Sequence, residues 1–217
     1  MPGMRSQGRP IRDAAVGGKE AILHGVRDFI RSNVDSDISR KDIANYLNVT
    51  PALISYYFPD RNELLENATA PILKDIADHV DDIVSAGDPP LSILKMMITF
   101  YVECHINEGG IIQCFSDLVV KSEHYRGPDY TSAIRNKTKD FINRKFPNDN
   151  KSCYKLKSIS WNLWSLCRLV IIETPTAPDF HSNENTPETS AVQYADRIYT
   201  LLTDGIGLDK FAMPPRS

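Results

Sequence analysis

Two very short amphipathic segments near the N-terminus constrain the fold of this chain more than any other feature. Ser39 is a candidate helix N-cap with Asp42 three residues later, a pattern typical of a capping box. The helix predicted after it runs from about residue 40 to residue 47 and buries Ile43, Ala44 and Leu47. A helix of this length is not stable alone in water, so it must pack against other parts of the chain.

The second short segment follows a tight turn at Asn48 and Val49. Asparagine tolerates the left-handed backbone conformation that such turns need. Thr50 is the predicted cap of the next helix, and Pro51 stands at its first position, where no amide hydrogen is needed. Two short helices joined by a tight turn are the geometry of a helix-turn-helix, a unit that presents a surface once longer neighbours support it.

Apolar residues recur at helical spacing along the rest of the chain, and no strand pattern or internal repeat interrupts them. Pro71 is expected to kink or split the long helix that contains it, and Gly109 and Gly110 are expected to end another. The sequence therefore predicts an all-α fold of about nine helices. Besides the two short helices, the predicted ranges are 18–33, 60–85, 91–107, 111–125, 129–146, 153–173 and 189–208.

The outer face of the second short helix carries small or hydroxyl-bearing side chains and no carboxylate. A helix meant only for solvation usually carries Lys, Glu or Gln there. Small side chains allow a backbone to lie deep in the DNA major groove, where hydroxyls reach base edges and methyls contact thymine. Tyr57 and Arg61 stand where they would contact flanking phosphates. The residues of the face are Thr50, Pro51, Ala52, Ser55 and Tyr56.

The same residues allow a purely structural interpretation. Tyr56, Tyr57 and Phe58 would then pack the short helices onto the long one, as we expect of Phe58 in any case. Arg61 would pair with Asp60 or Glu63 at the surface.

The run V-T-P-A-L-I-S-Y-Y-F-P-D-R-N-E-L-L resembles the signature of tetracycline-repressor (TetR) family regulators, and S-R-K-D-I-A upstream resembles the first helix of their motif. The similarity covers residues 19–66. It implies an N-terminal three-helix DNA-binding domain over residues 18–62, after a flexible basic arm at 1–17. It also implies a helical domain over 63–217 that binds a small-molecule effector and forms a homodimer.

The resemblance assigns DNA contacts residue by residue. Phosphate contacts and the start of the recognition helix fall on Ser39, Arg40, Lys41, Thr50, Pro51, Ala52, Leu53, Ser55, Tyr56, Tyr57 and Arg61. Two features depart from the family pattern. Asn48 replaces the usual turn glycine, and Asp42 and Asp60 place negative charge near the expected DNA.

Dimerisation is assigned to the last two long helices, Cys153–Glu173 and Thr189–Leu208. A two-fold dimer would place two recognition helices roughly 34–36 Å apart, matching a palindromic operator. The effector is expected to bind between the long fourth helix and the helices after it. Met and aromatic residues at helical spacing are, however, more often ordinary residues of the hydrophobic core. The candidate effector residues are Met96, Phe100, Tyr101, Cys104, His105, Phe115, Trp161 and Trp164.

Charge distribution agrees with this assignment only weakly. The net charge is −3, but residues 1–62 hold nine Lys and Arg against seven Asp and Glu. No apolar run reaches the roughly 18–20 residues of a membrane span, and the N-terminus lacks the apolar core of a secretory signal, so we expect a cytoplasmic protein.

The four cysteines show no metal-ligand spacing, and we expect buried free thiols and no metal or cofactor. His79, His105 and His124 stand alone in the sequence. The four cysteines are Cys104, Cys114, Cys153 and Cys167.

Two other functions remain open. An enzyme is disfavoured because the sequence has no phosphate-binding glycine loop, no HExxH and no nucleophile elbow. The acidic residues near the motif keep open a protein-interaction module that has lost DNA binding. The function we expect is a regulator, most simply a repressor that a small molecule releases from its operator.

Overall fold

The computed structural model describes residues 18–33, 38–122, 125–146, 163–168 and 187–206, and every regular element in these ranges is an α-helix. In the helix formed by residues 187–206, the side chains described are those of residues 191–202. The helices are α1 (Gly18–Ser32), α2 (Arg40–Leu47), α3 (Pro51–Tyr57), α4 (Arg61–Ser85), α5 (Pro90–Lys121), α6 (Tyr130–Lys145), α7 (residues 163–168) and α8 (Pro187–Ile206).

The all-α prediction is confirmed, α2 has the predicted bounds, and α3 begins at Pro51 as predicted. The two expectations about helix breaks have different outcomes. The break expected between residues 91–107 and 111–125 is confirmed, because the backbone of Glu108 is non-helical and divides α5 at a kink immediately before Gly109 and Gly110. The expectation that Pro71 splits α4 is wrong: the helix continues through this residue, which lies at an exposed position where its ring faces solvent.

Local capping explains why the two short helices form. The Ser39 side chain accepts a hydrogen bond from the backbone N–H of Asp42 at 3.2 Å, and Asp42 accepts one from the backbone N–H of Ser39 at 3.1 Å. Asn48 ends α2 in the left-handed conformation, with φ of 53°. Thr50 then accepts a hydrogen bond from the backbone N–H of Leu53 at 3.2 Å and caps α3.

Helices α1, α2 and α3, which we call the head, pack their apolar faces around one buried centre. Ile54 of α3 and Phe58 after it are fully buried, and Gly25 of α1 allows close approach of α2. A Cβ at Gly25 would lie 2.1 Å from a methyl carbon of Leu47. The expected packing role of Phe58 is confirmed. The other buried residues of this centre are Ile22, Leu23, Val26, Ile30, Ile38, Ile43 and Ala44.

Helices α4 to α8, which we call the body, extend the same core. Helix α5 lies between α4 and α8 and contacts both, and α6 packs on α4. Tyr101 of α5 is fully buried and its hydroxyl lies 2.5 Å from the hydroxyl of Thr138 on α6. Thr138 in turn donates to the carbonyl oxygen of Ile134 at 2.9 Å, so Tyr101 is the donor to Thr138. This pair fixes α6 against α5.

Candidate nucleic-acid interface

Helix α3 presents an exposed face on the surface of the head. Pro51, Ala52, Ser55 and Tyr56 are exposed, and the Tyr56 side chain is 78% accessible. Thr50 is exposed at the N-terminal end of the same face. None of these side chains carries a negative charge, so the face has the size and chemistry that close approach to a polyanion requires.

Two of the predicted DNA-contact residues on α3 also support the helix from beneath. Leu53 and Tyr57 are partly buried and pack against the core, while Tyr57 meets Tyr56 edge-to-face with ring centroids 5.1 Å apart. Any contact they make with a partner would use only the edge that they leave accessible. The exposed face is therefore narrow.

The arginines around α2 and α3 are held by protein acceptors. Arg40 donates to the carbonyl oxygen of Pro59 at 2.6 Å, and Arg61 donates through Nε to the carbonyl oxygen of Ile38 at 2.6 Å. Arg61 thereby ties the start of α4 to the residue before the α2 cap. Both guanidinium groups keep further N–H donors, so phosphate contact by either residue remains a prediction.

Ser39 and Lys41 differ in what they leave for a partner. The Ser39 hydroxyl is engaged in the capping box with Asp42, and these hydrogen bonds lower the pKa of Asp42, which stays negatively charged beside α2. Lys41 is exposed at the same end of α2. Its ammonium group therefore places a positive charge in solvent at the N-terminal end of α2.

Two arginine contacts that orient α1 were not predicted from the sequence. Arg27 donates through Nε to the carbonyl oxygen of Ala68 on α4 at 2.9 Å. Arg31 donates to both carboxylate oxygens of Glu108 on α5, at 2.9 and 2.8 Å. Partners lie 41 and 77 residues away along the chain, so no local pattern signals them.

Four of the predicted effector residues lie together inside the body. Tyr101 and His105 are on successive turns of α5, and each meets Trp164 of α7 edge-to-face, at 5.0 and 4.3 Å between ring centroids. Cys104 is buried beside them. Phe115 is buried farther along α5 against Tyr125 and Tyr130, and Trp161 lies outside the described residues.

His105 is the most unusual polar group of this cluster. Its side chain is 5% accessible, and Nδ1 lies 2.8 Å from the carbonyl oxygen of Tyr101, so Nδ1 carries the proton. Nε2 is then a buried acceptor, and no described residue donates a hydrogen bond to it. Burial lowers the pKa of His105 to about 4 and keeps the ring neutral at physiological pH.

Met96 and Phe100 lie elsewhere, on the outer side of α5. They line an open groove of about 490 Å³ between α4 and α5. Met96 is 42% accessible, and Phe100 is covered by His79, whose ring centroid lies 4.4 Å away. The structure therefore divides the predicted effector residues between an interior cluster and this groove.

Three cysteines, Cys104, Cys114 and Cys167, are buried free thiols, as predicted, and Cys153 lies outside the described residues. Burial raises the pKa of Cys104 to about 12 and that of Cys114 to about 11, so both stay protonated. Within the described ranges, no group of three or more His, Cys, Asp or Glu residues is arranged to hold a metal ion. No helix among the described residues combines the length and apolar character that crossing a membrane requires.

The fold is similar to that of a solved structure. A crystal structure described as a transcriptional regulator (TerR/AcrR family) from Aquifex aeolicus VF5 superposes with a TM-score of 0.54 and 17% sequence identity, over 89% of this chain and 99% of that chain. No protein-family model and no curated protein sequence matches the chain. The resemblance carried by residues 19–66 is thus confirmed at the level of the fold: the chain has the all-helical fold of that regulator, with a helix-turn-helix head on a larger helical body.

Proposed function

We propose that this chain is a DNA-binding transcriptional regulator that acts as a homodimer and responds to a small molecule. The observation that carries the proposal is the exposed face of α3, which combines small and hydroxyl-bearing side chains with the absence of carboxylates over residues 50–57. Such a face fits the major groove, and the similar fold of a transcriptional regulator supports the same use.

DNA binding is tested by selection from a random duplex pool followed by titration of the selected duplex. Binding should weaken steeply with salt, because contacts to phosphates release counterions. Ser55→Glu should abolish binding by placing a carboxylate in the middle of the exposed face. Asn136→Glu is the matched control, since it adds the same charge at an exposed position of α6, far from α3 in the chain. Equal loss in both variants would contradict the proposal.

A homodimer is supported by apolar side chains that α8 leaves in solvent. Val192 and Leu201 are 50% and 60% accessible beside the buried stripe of the same helix. A second copy of the chain would cover them. Leu201→Glu should therefore lower both the molar mass measured by light scattering and the affinity for DNA. Val120→Glu, at an 83% accessible position on α5, is the control that should leave the molar mass unchanged.

The effector is proposed to bind at the interior cluster of Tyr101, His105 and Trp164 and to donate a hydrogen bond to His105 Nε2. An unpaired buried acceptor costs free energy, and a donor from a ligand removes that cost. Thermal stabilisation by a panel of aromatic hydroxyl compounds and their methyl ethers tests this. The hydroxyl compounds should stabilise the protein more than their ethers, and His105→Phe should erase the difference. Equal stabilisation by both members of each pair would contradict it.

A second candidate function is a protein-interaction module that has lost DNA binding. It is favoured by the arginines of the head, because Arg27, Arg31 and Arg40, together with Arg61 after it, each bind a protein acceptor. The salt titration separates the two functions. Selection of no duplex from the pool by the dimeric wild-type protein would favour this second function.

A further inference from the structure

Helix α5 bends where the C-terminal end of α1 contacts it. Glu108 has φ of −123° and ψ of 17°, outside the helical region, while the residues on either side continue the helix. Gly109 and Gly110 follow directly. The bend divides α5 into a first limb, residues 90–107, and a second limb, residues 109–121.

The first contact at the bend is a bidentate ion pair, in which two hydrogen bonds join the same two side chains. Arg31 on α1 donates from Nε to one Glu108 carboxylate oxygen at 2.9 Å and from an NH₂ group to the other at 2.8 Å. This paired geometry fixes the direction of the guanidinium group as well as its distance. A third donation, to Asp28 at 3.2 Å, holds Arg31 on its own helix. Of the ion pairs among the described residues, Arg31–Glu108 is the one that joins head to body.

The second contact is a direct approach of two backbones. A Cβ at Gly110 would lie 2.4 Å from the carbonyl oxygen of Ile30, so only glycine allows α1 to lie this close. A Cβ at Gly109 would meet nothing within 4 Å. The two adjacent glycines therefore have different roles, and only Gly110 is required by the packing of α1.

The two limbs of α5 belong to different parts of the core. The first limb carries Tyr101 and His105, which contact Trp164. The second limb carries Phe115, which packs against Tyr125 and Tyr130. A change in the angle between the limbs must move Glu108 and Gly110, and with them the end of α1.

We propose that Ile30, Arg31, Glu108 and Gly110 form a joint that couples the bend of α5 to the orientation of the head on the body. The covalent connection between head and body runs through α4, so the orientation of the head depends on the contacts that α1 makes with α4 and α5. Arg27, bonded to Ala68, restrains α1 on α4, and the joint restrains it on α5. Two anchors on different helices set the direction in which α3 faces outward.

The affinity arm of the test rests on the proposed DNA binding, whereas the geometric arm does not. In the geometric arm, spin labels introduced as unnatural amino acids at Asn45 on α2 and Asn143 on α6 report the head-to-body distance in the full-length protein without DNA. Gly110→Ala and Glu108→Gln should shift or broaden this distance distribution. Gly109→Ala and Asp78→Asn are the matched controls, and Asp78 forms an ion pair within α4, with Lys74 at 2.5 Å.

In the affinity arm, Gly110→Ala should weaken binding of the selected duplex about tenfold and Glu108→Gln about fivefold, within the range of ordinary coupling between sites. Both controls should stay within about twofold. If Gly110→Ala does not fold, Glu108→Gln carries both arms. Unchanged distances in the variants would overturn the joint. Altered distances with unaltered DNA affinity would leave the joint standing and overturn the dependence of DNA affinity on the orientation of the head. A wild-type protein that binds no duplex, with the distances changed as expected, would overturn DNA binding and leave the joint standing.

Discussion

The head and the body of this protein use polar side chains in different ways. In the head, hydrogen bonds that shape the helices are local: Ser39 with Asp42 and Thr50 with Leu53 each span three residues. In the body, Tyr101 bonds Thr138 and Lys137 bonds the carbonyl oxygen of Ala77, across 37 and 60 residues. The surface of the head is thus shaped by residues that lie close together in the sequence. The interior of the body depends on contacts between helices that lie far apart in the sequence.

The arginines complicate this contrast. A sequence-based interpretation places positive charge of the head on DNA phosphates, but Arg31, Arg40 and Arg61 first hold the head together and to the body. Within the described residues, these three arginines therefore help to position the exposed face of α3 through hydrogen bonds to protein acceptors. Affinity for DNA should then depend more on fit to the groove than on charge.

The largest expected effect on stability concerns the aromatic residues 56–58 of the head, which differ in burial. Phe58→Ala removes a fully buried ring and should lower the free energy of unfolding by about 3–5 kcal/mol. Tyr56→Ala removes a ring that is 78% accessible and should change stability little while it reduces DNA affinity. Urea unfolding and duplex titration of both variants measure the difference. Comparable destabilisation by the two substitutions would contradict the division into a supporting and a contacting aromatic residue.

What the sequence predicted follows the same division. The bounds of α2 and the start of α3 were predictable because caps and turn residues act within one helical turn, as Ser39, Asn48 and Thr50 do. The burial of Phe58 followed from its place between the short helix α3 and the long helix α4. The candidate contacts on α3 were placed on an exposed face for the same reason, although their binding to DNA remains a prediction.

What the sequence did not predict depends on partners far along the chain. Gly109 and Gly110 indicated where the helix breaks, but not that Gly110 lies directly against the backbone of Ile30 on α1. The role of Arg31 is invisible without Glu108, 77 residues away. The candidate effector residues were chosen by type alone, and such a choice cannot separate an interior cluster at Tyr101 and His105 from the groove at Met96 and Phe100.

A pH titration should show the second-largest effect and locate it in the body. His105 has a folded-state pKa of about 4, below the ordinary value of 6.5. Between these pH values the side chain is therefore protonated in the unfolded chain and neutral in the folded chain. Stability should be fully present above about pH 6.5 and fall by up to about 3 kcal/mol as the pH decreases to 4. Urea unfolding across this range measures it.

His105→Phe is the matched variant for that titration, because it keeps a ring in the same space and removes the titrating group. Its stability should vary much less between pH 6.5 and 4 than that of the wild-type protein. Parallel curves for the two proteins would show that His105 is not the group responsible.

Loss of the α3 cap should have a smaller effect, confined to the head. Thr50→Ala removes the acceptor for the backbone N–H of Leu53 and should cost about 1 kcal/mol of stability. Ser55→Ala, at an exposed position in the same helix, should leave the free energy of unfolding nearly unchanged. Thermal unfolding compares them. If Ser55→Ala were the more destabilising, the cap would not explain why so short a helix forms.

The smallest expected effect concerns charge and tests whether fit outweighs it. Lys41 is exposed at the start of α2, and Lys41→Gln should remove about one phosphate contact. The slope of log affinity against log salt should then become shallower by about 0.9. Lys74→Gln, on the exposed side of α4, changes the net charge equally and should leave the slope as it is. A slope that changes equally in both variants would mean that the overall charge of the protein, and not a contact at the head, determines the salt dependence.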